Sequence, residues 1–135
     1  MQFTPQPKLN APQKVVPMME CDELSRDAFE QLLRENPGKV VLKFGATWCG
    51  PCQRIEAHVQ QWFSRMPASV KCIMIDIDDS FDLYAAFKSK RQINGIPAIL
   101  CFNKGNTSYL PDLSVVGADF EQVNTFFRQV ASTSS

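Results

Sequence analysis

The 135-residue chain has a single histidine, no net charge and no apolar run near the roughly 20 residues that cross a bilayer. Metal centres in small proteins need about four ligands, commonly as two paired clusters, and His58 has no partner at such spacing. The ligand count therefore argues against a metal site. Fourteen basic residues balance fourteen acidic ones, so nothing suggests a strongly basic binder of polyanions, which argues against a nucleic-acid partner. The opening MQFTPQPKLNAPQK has prolines where a secretory signal needs an apolar core, and it lacks the arginines of a mitochondrial transit peptide. A cytoplasmic protein with no membrane partner is the expectation. An even cysteine framework is missing too: Cys21, Cys49, Cys52, Cys72 and Cys101 make an odd set with one close pair. A reducing compartment with one special pair fits better than a stapled secreted domain.

What the chain does have is enough apolar residue, 44%, to build the core of one domain. Pro5, Pro7 and Pro12, followed by Pro17, mark residues 1–13 as an extended, proline-rich arm, so the folded unit is expected from about Lys14 to Ala131, with residues 132–135 frayed. Val15 and Val16 read as a short strand. Ser25 can cap a helix with Ala28, Phe29, Leu32 and Leu33 on one face, stopped by Asn36-Pro37-Gly38. The apolar run 39–44 reads as a strand. A second helix opens around Cys49 to Pro51, carries the stripe Ile55, Val59, Trp62, Phe63 and Met66, and ends at Pro67. Residues 70–77 read as a buried strand, and Leu83, Tyr84 and Phe87 as a shorter helix. Strands at 98–102 and near 114–116 flank a turn at 103–106, with 109–113 as a longer connection. A final helix starts after Asp119, with Gln122 three residues on and the stripe Phe120, Val123, Phe127 and Val130. This order predicts an α/β fold, a central mixed sheet with helices on both faces.

The chemistry concentrates at Cys49 and Cys52, where a strand hands over to a helix. Unpaired amides and the positive end of the helix dipole favour a thiolate there. Two intervening residues let the sulfurs bridge, so the pair can cycle between dithiol and disulfide. Two unpaired structural cysteines at a helix start are the bland alternative. Cys72 and Cys101 fall in strand patterns and read as small core residues. Cys21 reads as an exposed loop thiol, on which a weaker redox-sensor function would depend. His58 reads as a boundary residue of its helix, and Asp76 and Asp78 as solvent-facing residues at a strand end.

WCGPC, Trp48 to Cys52, is the signature of thioredoxins, and residues 15–130 resemble that family through VVLKFGATWCGPC, IDIDD, GIPAILCFNKG and VVGAD in order. The resemblance implies the thioredoxin fold and a dithiol-disulfide oxidoreductase, acting as a monomer on disulfide-containing proteins. It implies no bound cofactor, with electrons drawn from NADPH through a thioredoxin reductase. It makes Cys49 the nucleophile and Cys52 the resolving cysteine. Trp48, Gly50, Pro51 and Ile96 become the substrate-contacting surface, with Ile96-Pro97 as a cis bond facing the active site.

Lys43 departs from the family, which usually carries a buried aspartate six residues before the first cysteine; Met74 replaces a second charged residue, a lysine. Gly45 stands where the family often has tryptophan or serine, and Ala57 where it often has a proline. A buried ammonium would favour a nearby Cys52 thiolate, or would lose its proton and accept another. Burying an unpaired charge costs several kcal/mol, so Lys43 is expected to snorkel to water along its methylenes. A thioredoxin-like adaptor with little turnover is the alternative function that Lys43 and Met74 raise.

Overall fold

The computed structural model describes residues 18–21 and 23–133. The arm at 1–13, the domain start at Lys14, the strand expected at Val15 and Val16, and Ser134 and Ser135 lie outside them. The order is β1 (Met18–Cys21), α1 (Arg26–Arg34), β2 (Lys39–Gly45), α2 (Gly50–Arg65), β3 (Val70–Asp76), α3 (Phe81–Ser89), β4 (Ala98–Asn103), β5 (Leu113–Val116) and α4 (Phe120–Thr133). Cys21 thus ends a strand, where the sequence suggested a loop. Ser132 and Thr133 still belong to α4, which carries the helix past the expected fraying point.

The strands form one sheet in the order β1-β3-β2-β4-β5. β1, β3 and β2 run parallel, while β4 and β5 are antiparallel to their neighbours. Parallel strands need helical crossovers, and α1 and α2 supply them. All seven residues of β2 are buried. Its side chains alternate between two cores: Val40, Leu42 and Phe44 join Phe29, Leu33, Leu83 and Phe87 of α1 and α3 on one face. Val41 joins Ile55, Val59, Phe63, Val123 and Phe127 of α2 and α4 on the other.

Local chemistry sets the helix limits. The Ser25 hydroxyl accepts the Ala28 amide at 3.0 Å, which caps α1. Phe29 and Leu33 are buried, but Ala28 is exposed, so it sits off the stripe expected for it. Asn36, also buried, accepts the Gly38 amide and donates to the Phe102 carbonyl, tying the end of α1 to β4. Met66 turns extended ahead of Pro67 and closes α2. The long connection before β5 is pinned by Tyr109: its ring packs 5.2 Å from Phe29 and from Phe87, and its hydroxyl donates to Glu30 at 2.8 Å.

Cys72 and Cys101 are fully buried in the α2 and α4 core, and burial pushes both thiols up to about 12. Their protons are held more tightly folded than unfolded, so the stability they confer is complete below about pH 9 and is lost as pH rises toward about 12. A Cys72→Ala/Cys101→Ala variant is therefore expected to lose unfolding free energy less steeply across that window, as read by urea titrations at several pH values.

Candidate active site

β2 ends at Gly45, and the chain turns through Ala46 to Trp48, with the Cys49 amide donating back to the Ala46 carbonyl at 3.1 Å. Cys49 is the N-cap of α2, in extended conformation. Its sulfur accepts the Cys52 amide at 3.2 Å and takes the place of the oxygen in a side-chain cap. Pro51 suits the first turn, where its missing amide hydrogen costs nothing. The Cα atoms of Cys49 and Cys52 lie 5.2 Å apart and their sulfurs are bonded. Cys49 is 7% exposed and Cys52 1%, so the outer sulfur is that of Cys49.

Around this pair the surface is apolar and open. Trp48 is 65% exposed, and its indole donates to an Asp78 carboxylate oxygen at 2.8 Å, which holds the ring in place. Gly50 and Pro51 are exposed. Ile96 packs against the core that includes both cysteines, and the Ile96-Pro97 bond is cis. Asp78 lies in the turn after β3, where the sequence had suggested it alternating with Asp76 along a strand. Asp76 ends β3, and its carboxylate accepts the Asp78 amide at 2.8 Å.

Lys43 does not snorkel to water. Its side chain is 4% exposed, and the ammonium meets a Glu56 carboxylate oxygen at 2.6 Å. It points to the α2 side of the sheet, beside Met74 and Ile99 in register, and Glu56 reaches down from α2 to meet it. Glu56 was missed in the sequence. The available signal was its place four residues after Cys52, one turn along the same helix face. A carbon added at Gly45 would stand 2.9 Å from the Lys43 nitrogen and 3.4 Å from the Cys52 sulfur. Glycine there leaves the space that the lysine head fills. A cavity of about 490 Å³ opens behind the cysteines, lined among others by Lys43, Gly45, Cys52, Glu56, Asp76 and Asp79.

His58 lies away from this cavity. Its Nε2 is 2.6 Å from an Asn124 oxygen that also accepts the Trp62 indole, so it helps to join α2 to α4.

A family model for thioredoxin matches residues 20–127. The chain belongs to the thioredoxin family. It is 32% identical over 77 residues to a thioredoxin-like protein of Synechocystis, covering 57% of this chain and 70% of that one. It is 30% identical over 80 residues to thioredoxin 1 of Chlorobaculum tepidum, covering 59% and 75%. A rice chloroplastic thioredoxin Y matches at 28% over 78 residues, but those span only 44% of its length. The Trichomonas vaginalis thioredoxin structure superposes with a TM-score of 0.69 at 25% identity, covering 84% of this chain and 97% of that one. With its sulfurs bonded at a helix N-terminus, the Cys49 and Cys52 pair of this thioredoxin-fold chain is that of a dithiol-disulfide oxidoreductase.

The ion pair has a testable energetic signature. Glu56→Ala strands a buried ammonium and is expected to cost about 1–3 kcal/mol. Lys43→Met fills the same space without a charge and is expected to match or exceed the parent. Urea unfolding of both variants measures the difference.

Proposed function

We propose that the chain is an electron carrier that reduces disulfides in other proteins. In the reduced state the Cys49 thiolate attacks a substrate disulfide, forming a Cys49–substrate bond and releasing one substrate thiol. Cys52 then attacks Cys49, closes the protein disulfide and releases the second thiol. Two electrons leave the dithiol, and two substrate thiols take up two protons. The observation that carries this reading is the Cys49 sulfur, bonded to Cys52 while accepting an amide at the start of α2.

Trp48, Gly50, Pro51 and Ile96 offer an apolar rim, beside Pro97, on which an extended peptide can lie. Electrons return from NADPH through a thioredoxin reductase or an equivalent, as family membership implies. The protein acts as a monomer. Cys72 and Cys101 are core thiols and no part of a disulfide framework, which supports a reducing compartment such as the cytoplasm. The adaptor alternative is not favoured, because the cysteine pair is intact and Lys43, one of the two residues that raised it, has a partner.

With NADPH, a thioredoxin reductase and a protein disulfide, the chain is expected to support continuous NADPH oxidation, and Cys49→Ser to abolish it. Equal turnover by a folded Cys49→Ser would refute this reading.

A further inference from the structure

Resolution by Cys52 needs its thiol to lose a proton, yet the residue is 1% exposed. The cavity behind the cysteines is where that sulfur meets polar groups. Four charged residues line the space: Lys43 from β2, Glu56 from α2, Asp76 at the end of β3 and Asp79 in the turn that follows. An ammonium has no site to take a proton. One Asp76 carboxylate oxygen accepts the Asp78 amide, and Asp79 is exposed. What sets Glu56 apart from both is its contact with the Lys43 ammonium. It lies one helical turn after Cys52 on the same face, and its carboxylate touches the ammonium that shares the space above Gly45 with the Cys52 sulfur. With its side chain 43% exposed, it also has an outlet to water.

We propose that Glu56 is the proton acceptor for Cys52, and that Lys43 is a positioning residue that holds the carboxylate in the cavity and stabilises the thiolate as it forms. This rests on the oxidoreductase reading above. The Cys52 S–H bond breaks and its proton passes to Glu56, directly or through a cavity water. The thiolate electron pair forms the Cys52–Cys49 bond, and the Cys49–substrate bond breaks to release the substrate thiolate. Glu56 then returns its proton to solvent or to that leaving thiolate. The acid-base group of this site therefore stands on the helix, and the sheet supplies its counter-charge.

The test is a stopped-flow reaction of the reduced full chain, in a Cys21→Ser background, with an aromatic disulfide whose thiolate product is coloured. Attack by Cys49 releases one equivalent, and resolution by Cys52 releases the second. In Glu56→Gln the first phase is expected to be unchanged and the second slower by about 100-fold near neutral pH, the low end of what a positioned base contributes. That deficit should narrow as pH rises, because the thiol then ionises unaided, and Glu56→Asp should recover part of the rate. A Lys43→Met/Glu56→Gln variant keeps the cavity filled and should be at least as slow as Glu56→Gln in the second phase, since it also lacks the ammonium that stabilises the thiolate, with the first phase again unchanged. A second phase in Glu56→Gln at the parent rate, or a deficit that is the same at every pH, overturns the proposal. Release of two equivalents by Cys49→Ser would instead sink the oxidoreductase reading, and the proposal with it.

Discussion

Burial of β2 on both faces is the constraint on which the rest of the molecule depends. A central strand packed between two helical layers leaves its side chains little contact with water, so every residue along it must be apolar or partnered. Val40, Leu42 and Phe44 meet the first condition on one face, and Val41 on the other. Lys43 meets the second. Its ammonium is held by Glu56, and the absence of a side chain at Gly45 makes the room. Three residues on two elements thus form one unit, and removing any one of them changes what the other two require.

The same strand delivers the cysteines. Because β2 is fixed along its length, the turn from Gly45 to Trp48 starts from a set position and places Cys49 at the open amide end of α2. The two sulfurs then sit in different surroundings. Cys49 faces the apolar rim with Trp48, and Cys52 faces inward toward the charged cavity. In the proposed reaction that asymmetry orders the chemistry: the outer sulfur meets the substrate, while the inner one waits for a proton to leave. The cap hydrogen bond and the Trp48–Asp78 contact of the outer half involve neither Lys43 nor Glu56.

Local signals were the readable part of the sequence. Ser25, Pro51, Pro67 and the alternating or helical apolar rows located nearly every element, and the WCGPC motif located the redox pair, because each depends on residues close together in the chain. Partnerships across elements were not readable. Glu56 lies 13 residues from Lys43, and Asp78 lies 30 from Trp48; nothing in either stretch names its partner. The snorkelling expected of Lys43 followed from treating it as unpaired, and that premise failed. Cys21 was read as a loop residue because β1 is a short edge strand, whose few residues carry little periodic signal. Tyr109 was hidden by its setting in a long connection, though its ring packs against α1 and α3 as a core residue would.

A Cys52→Ser variant tests the central claim most directly, since it can attack a disulfide and cannot resolve the product. Incubated with a disulfide-bonded protein and examined by mass spectrometry, it is predicted to accumulate one substrate per chain on Cys49, released by added thiol. An adduct that is absent, or that forms on Cys21 instead, would contradict the account.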